Sequence, residues 1–344
     1  MDFISLFFLF SFLYPWNFVS EKQEIRIGMV GDVLIHSRVY QDAYKNGRYD
    51  FYPMVYRFEK KFQKNDLNYF NQESLIGGKE LGLSTYPRFN SPEEIGEAMV
   101  KIGGNLVSLA NNHSLDKGEK GVKNSQRFWK KMTQKKNIIF AGSYENQKDK
   151  YQVYQKNGIK FTFFAYTTLT NGFKPKNELD VDIFDKEKVR KDILWAKKNS
   201  DFVIVSLHWG QEYNFQPTKK QQEIAKFLAD LGVDLVIGSH PHVIGKIEKI
   251  KNTLVVYSLG NFLSSQIGLE KRIGLYLSLR VVKNPNGKIE IKDIKPELFF
   301  VKYNKKKPRN FEVIPFDELN ENILKNYKEI EKEYLKKIGW LSYT

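Results

Sequence analysis

The stretch Val233–His242, VDLVIGSHPH, runs the apolar residues Leu235–Gly238 into a serine and then into two histidines on either side of a proline. A short unbroken apolar run bounded by polar residues reads as a buried strand. Its end presents two imidazoles in a loop stiffened by Pro241. Imidazole is a ligand for zinc, iron and, with oxygen ligands beside it, manganese. The pair suggests one wall of a metal site.

The rest of the chain repeats the pattern. GMVGD closes on Asp32, LNYFNQES on Glu73, NLVSLANNHSLD on Asn112, His113 and Asp116, and DFVIVSLHWGQE on His208 and Glu212. Helical patterns lie between these strands. In SPEEIGEAMVKIGG, Ser91 is the expected N-cap, Pro92 sits in the first turn and Gly103-Gly104 stops the helix. GVKNSQRFWKKMTQKK and TKKQQEIAKFLADLG follow the third strand and the His208 strand in the same way. Strands alternating with helices give the α/β class. Asn157-Gly158, between two alternating segments, is a hairpin signal, and further strands follow from Lys246 to Tyr303. A mixed sheet, or two sheets facing each other with helices outside, fits this order better than a purely parallel sheet.

Taken singly, the strand-end residues have other uses. Gly31-Asp32 could be a turn, Glu73 could cap a helix, Asn111 and Asn112 could form a side-chain turn, and His208 could be a core histidine. Taken together they are more specific, because loops beyond the carboxyl ends of such strands converge on one crevice. All five histidines of the chain fall close to a strand end. Carboxylates, a carboxamide and imidazoles are what a dinuclear hydrolytic site requires. Two divalent cations about 4 Å apart activate a water and brace both oxygens of a displacement. Asp32, Glu73 and Asn112 supply the hard oxygen ligands, and His208, His240 and His242 the imidazoles. The ions expected are manganese, zinc or iron. His113, whose side chain diverges from that of Asn112, is placed as a proton donor or a group supporting the ligands, with Asp116 orienting it or holding an outer water.

Bulk properties bound the remaining readings. A chain of 344 residues with 41% hydrophobic and 15% aromatic residues can bury a large core. Its net charge of +15 has no accompanying nucleic-acid-binding motif, so nucleic acid is not an expected partner. Between Lys117 and Lys160 there are twelve basic residues against three acids, a face that is either solvated or attractive to polyanions. With no cysteine, disulfides and thiolate ligands are excluded. Residues 1–22, apolar from Phe3 to Val19, read as a signal peptide or an N-terminal membrane anchor. No basic residue precedes the run, and Pro15, Trp16 and Phe18 suit a cleavage site poorly. Export to the cell envelope is the expected location. Asp317 to Lys337 is expected as a charged helix with one apolar stripe, packed on the domain.

Six blocks in order, GMVGDVLIH, NQES, LANNHSLDKGEKGV, HWGQEY, GSHPHVI and YSLGNFL, resemble those of the CapA family of capsule and poly-γ-glutamate synthesis proteins. That family belongs to the calcineurin-like metallophosphoesterase superfamily. The resemblance covers Ile25 to Phe262, with a fainter continuation to Val301. It implies a four-layered α/β/β/α sandwich over residues 23–301, followed by a charged extension, 302–344, with one helix. It also implies a metal centre at the strand ends, of one ion or two, and a role in making or exporting an anionic poly-γ-glutamate-like capsule polymer at the envelope, alongside membrane subunits of a capsule synthase. Asp32 matches the first-strand metal aspartate, Asn112-His113 the asparagine-histidine block, His208 the lone histidine, and His240 and His242 the terminal pair. The wider superfamily's Asp-x-His is absent here, His36 following Asp32 by four residues, and Asn71-x-Glu73 stands where a Gly-Asp is usual. The reading is a metal-dependent hydrolase using an activated water. Two alternatives stay open: a non-catalytic, membrane-tethered accessory subunit of a polymer synthase, and an exported phosphatase acting on a phosphorylated substrate.

Overall fold

The computed structural model describes residues 23–304 and 309–339. The apolar leader, residues 1–22, lies outside them. Among the described residues no helix is long and apolar enough to cross a membrane.

Two sheets organise the chain. The larger runs, edge to edge, Glu312–Pro315, Ile289–Lys302, Ile273–Lys283, Glu24–Val33, Leu67–Gln72, Leu106–Ser108 and Ile139–Ala141, with Asn261–Leu263 added against the end of Glu24–Val33. From Glu24–Val33 to Ile139–Ala141 the strands are parallel; the other edge is antiparallel. The smaller sheet runs Ile247–Ile250, Thr253–Val256, Leu235–Ser239, Phe202–His208, Ile159–Thr167 and Tyr154–Lys156, parallel except at its two edges.

The period-2 alternation of strand side chains sorts these residues into three cores. Phe161, Phe163, Phe202, Ile204, Leu235 and Ile237 face Ile25, Ile27, Tyr69 and Leu106 across the space between the sheets. On the outer face of the larger sheet, Phe70 and Val107 meet Ile95, Met99, Phe128 and Trp129. These come from the helices Glu94–Lys101 and Gly118–Lys136. On the outer face of the smaller sheet, Val203, Val205 and Val236 meet Val189, Ile193, Ile224 and Leu228, from Lys186–Asn199 and Lys219–Asp230. The result is helix, sheet, sheet, helix: the four layers expected. Each large side chain so buried contributes about 1.5–3 kcal/mol. The helix ends follow local rules. Asp185 caps Lys186–Asn199 by accepting from the Lys188 N–H, and Thr218 and Gln221 form a reciprocal capping box.

Two local expectations differ. Ser91 does not cap the Glu94–Lys101 helix, whose N-cap residue is Glu93. Its hydroxyl instead donates to Ser74 Oγ at 2.8 Å and its N–H to the Leu75 carbonyl, tying the loop to the Glu73 strand end. The charged helix is confined to Tyr327–Lys337, with a 3-10 turn at Phe316–Glu318 before it. The stretch after residue 301 is also more than an appendage. Glu312–Pro315 is the edge strand of the larger sheet, and Phe316, Tyr334 and Ile338 join the core between the sheets.

Candidate metal centre

The parallel strands of both sheets deliver their carboxyl ends to one place. Asp32 lies beside Asn71 and Asn261 in strand register, and His208 lies beside Ser239. Gly31 makes the first of these possible. A Cβ there would stand 1.8 Å from the Gly260 carbonyl oxygen, the group that accepts the Asp32 N–H at 2.9 Å. Only glycine allows the two backbones this close.

Asp32, Glu73, Asn112, His208, His240 and His242 are all buried, and all six meet. Asp32 accepts from Asn71 Nδ2 (2.8 Å) through one oxygen. Its other oxygen faces His242 Nδ1 (3.1 Å) and the His240 backbone N–H (3.3 Å). Glu73 Oε1 stands 3.7 Å from His208 Nε2 and 3.6 Å from His242 Nε2. His208 Nε2 and Asn112 Oδ1 are 2.9 Å apart, and the Ser239 hydroxyl lies 3.0 Å from His208 Nδ1. Donor atoms within 4.8 Å of one another form two overlapping buried groups, Asp32–Glu73–His242 and Glu73–His208–His240. A third, more exposed group is Glu212–His240–His242.

The polar atoms left over fit a cation. Both Glu73 oxygens and His240 Nδ1 are buried without a hydrogen-bond partner among the described residues. Such groups are costly to bury bare, and both are ligand types for hard or borderline divalent ions. The electrostatics agree. Burial, reinforced by Asp32, pushes the Glu73 carboxyl well above its usual range, against the attraction of His242. Burial holds His240 down to about 3, so it stays neutral with a lone pair to give. Burial also opposes charge on His242, but the Glu73 and Asp32 carboxylates outweigh it and raise its pKa to about 9. The buried carboxylates thus favour a positive charge among them, which a proton on His242 supplies.

His113 and Asp116 stand beside this cluster. His113 Nδ1 lies 2.7 Å from Asp116 Oδ2. That oxygen also accepts the Phe89 N–H, and the Phe89 ring packs edge-on against the imidazole with centroids 4.6 Å apart. With Asp116 Oδ2 as acceptor, the His113 proton sits on Nδ1 and Nε2 is left for other work. Four residues without an assigned role in the sequence complete the site: Asn71 and Ser239, which orient Asp32 and His208; Asn261, which donates to the His242 carbonyl; and Glu212. All four sit within or beside the strand-end blocks. For Asn71, Ser239 and Asn261 the signal was position alone; Glu212 also carried the carboxylate of a ligand type. His36 is separate. Its Nδ1 lies 3.1 Å from the Leu34 carbonyl and its ring packs on Phe89, so it belongs to none of the three groups.

Residues 26–266 match the family described as bacterial capsule synthesis protein PGA_cap, a span that contains every candidate ligand. The chain belongs to the PGA_cap family. Among curated PGA_cap-like relatives it is similar to the PGA biosynthesis protein CapA of Bacillus subtilis (strain 168), 28% identical over 310 residues, covering 85% of this chain and 79% of that one. It is also similar to the capsule biosynthesis protein CapA of Bacillus anthracis, 29% identical over 263 residues, covering 72% and 61%. Among solved structures, a putative 5'-nucleotidase from Staphylococcus aureus aligns with this PGA_cap chain at a TM-score of 0.50. At 13% identity, over 90% of this chain and 58% of that one, the likeness is one of fold. That fold is the metallophosphoesterase sandwich.

Proposed function

We propose that this PGA_cap chain is a metal-dependent hydrolase of capsule or poly-γ-glutamate biosynthesis, exported to or anchored at the cell envelope. One observation carries the reading: Glu73, with both oxygens buried and neither in a hydrogen bond among the described residues, sits between Asp32 and three histidines and belongs to both buried donor groups. Asp32, Glu73 and His242 would hold one ion, and Glu73, His208 and His240 a second, with Asn112 Oδ1 as an additional oxygen beside His208. Bound there, manganese, zinc or iron supplies Lewis acidity and makes water a nucleophile near neutral pH. The chain's own residues do the rest. Asn71 and Ser239 orient Asp32 and His208. Asp116 keeps the proton of His113 on Nδ1, which lets Nε2 exchange a proton with a leaving group. The substrate class is an anionic polymer of the poly-γ-glutamate type or a phosphorylated compound, and membrane subunits of a capsule synthase are the expected partners.

Elemental analysis of the purified full-length protein tests this directly. Bound manganese, zinc or iron is expected, absent from a His240→Ala, His242→Ala double variant. The metal-loaded protein is then offered poly-γ-glutamate, aryl phosphates and phosphodiesters, with hydrolysis of at least one expected. A metal-free wild type whose stability ignores chelators would sink the hydrolase reading.

A further inference from the structure

Two neighbouring cavities share lining residues, and one of them reaches the side of the candidate metal centre. One, of about 350 Å³, is lined by His36, Arg38, Tyr213 and Lys271 among others. The second, of about 650 Å³, is lined by Arg38, Ile267, Arg272, Lys302, Ile323 and Lys325 among others. Arg38 and Ile267 line both, so the two run on as one groove. Its inner end is beside the metal centre, at Tyr213, whose ring centre is 6.2 Å from that of His242.

Arg272 sets this groove apart. It is 6% exposed, and its Cζ lies 4.4 Å from the Phe300 ring centre and 4.3 Å from that of Tyr303. Its Nε donates to the Val301 carbonyl at 2.9 Å. Among the described residues no carboxylate pairs with it, and neither of its terminal nitrogens makes a hydrogen bond. Arg57 and Arg280, by contrast, each reach two carboxylates. A buried cation without a counterion is costly, and flanking aromatic rings offset only part of that cost. The same rings hold the guanidinium fork in one orientation. Burial lowers its pKa, but an arginine keeps its charge at any physiological pH. Such a fork matches an oxyanion bidentately.

The surroundings narrow the ligand. Arg38 and Lys325 place further cations along the groove, Lys271 and Lys302 share theirs with Glu270 (3.5 Å) and Glu312 (3.7 Å), and Ile267, 70% exposed, with Leu269, Ile323 and Leu324 forms apolar wall between them. Alternating cationic and apolar surface suits a chain whose anionic groups are separated by methylene segments. A polyphosphate offers nothing to the apolar part.

We propose that this groove binds an extended carboxylate-bearing chain, one carboxylate on the Arg272 fork and its neighbours leading along Arg38 and Lys271 to the metal centre. The proposal rests on the hydrolase reading for what happens at the inner end and on Arg272 for the binding itself. It is tested with full-length, manganese-loaded protein and a fluorescent γ-linked glutamate decamer, read by anisotropy at fixed salt, with polyphosphate of matched charge as comparator. Arg272→Lys keeps the charge and removes the fork; Arg38→Ser, at an exposed rim position, serves if Arg272 variants fail to fold. Metal content is measured for each protein. Expected are weakening of decamer binding of about tenfold or more in Arg272→Lys, a smaller loss in Arg38→Ser, unchanged metal content, and weaker binding of polyphosphate. No decamer binding by the metal-loaded wild type, equal affinity in the variants, or polyphosphate binding as tightly would overturn it. Arg272-dependent binding by a protein found to hold no metal would uphold the groove and remove the hydrolase reading alone.

Discussion

Replacing Glu73 by glutamine reverses sign with metal. In chelated protein, the wild-type carboxylate is fully buried and neither oxygen has a hydrogen-bond partner among the described residues. An unsatisfied buried polar group costs about 1–3 kcal/mol, more if charged. Chelated Glu73→Gln, which has the same shape without the charge that burial disfavours, should therefore be the more stable protein, by less than that amount because its amide stays unpaired and His242 loses a charge partner. Adding manganese at 1,000 times the wild-type Kd stabilises the wild type by about 4 kcal/mol. The variant has lost the one donor common to both buried groups. With affinity about 100-fold lower, it gains only about 1.4 kcal/mol at the same concentration. The wild type thus gains about 2.7 kcal/mol on the variant between the two conditions. At roughly 2 °C per kcal/mol for a domain of this size, that is a relative shift of about 5 °C. Thermal unfolding followed by near-UV circular dichroism, with chelator and with manganese, measures both. If the chelated variant is the less stable protein, or both gain equally from manganese, Glu73 is not held in reserve for a cation.

Three further outcomes follow from other parts of the molecule. Gly31→Ala should cost about 3 kcal/mol or more, because its Cβ would sit inside the Gly260 carbonyl and no flexible side chain is there to yield; a soluble variant with wild-type Tm would contradict this. Lys150→Met should cost about 3 kcal/mol, since Lys150 is buried 3.2 Å from Asp182 and 2.7 Å from Asp192 and its loss leaves Asp182 only Lys188 and Asp192 only the hydroxyls of Tyr151 and Tyr166; chemical denaturation reads the loss, and a variant within 1 kcal/mol of wild type, on the order of a surface substitution, speaks against it. His36 governs an acid limb. Burial first, then the charges of His242 and His113, hold its pKa at about 4 against an unfolded value of 6.5. As pH falls the unfolded chain takes the proton first, so stability present above about pH 6.5 is lost between 6.5 and 4, up to about 3 kcal/mol. The difference in stability between wild type and His36→Gln, followed from pH 7 to pH 4, should fall by that amount; a constant difference would refute the assignment.

Strand-end histidines were legible in the sequence because each follows an apolar run long enough to be a buried strand. The α/β class followed from the same runs alternating with amphipathic helices. The division into four layers was not legible from periodicity. Strands such as Phe161–Tyr166 are buried on both faces, so the alternation that separates Phe163 from Phe164 leaves no polar trace; the element order left one mixed sheet and two facing sheets both open, and the family resemblance decided for the layers. The Ser91 cap failed for a complementary reason. Capping rules weigh neighbours in sequence, whereas the Ser91 hydroxyl is taken by Ser74, seventeen residues away. Glu73 was named as one ligand among six. That it carries the two bare oxygens depends on what surrounds it from four other strands. Arg272 gave no signal at all, because an unpaired arginine is defined by carboxylates that are elsewhere.

The loop that opened the sequence shows how the fold sustains the site. His240 and His242 have φ of 97° and 58°, in the region that side-chain-bearing residues rarely occupy. Strain of this kind costs of order 1–3 kcal/mol per residue and persists only where the surroundings over-determine it. Here they do. The His240 N–H is held by Asp32 Oδ2, the Pro241 carbonyl accepts the Tyr213 N–H at 2.7 Å, and the His242 carbonyl accepts from Asn261 Nδ2. Asp32 and Asn261 lie on paired strands of the larger sheet, while Pro241 follows a strand of the smaller one. The strained turn is therefore clamped from both sheets at once, and the clamp works only if they meet at this end. Glycine at either position would relieve the backbone and lose the imidazole. Two histidines kept in unfavourable backbone, pinned by the same aspartate that faces one of their rings, mean that the sandwich spends stability to hold those nitrogens around Glu73.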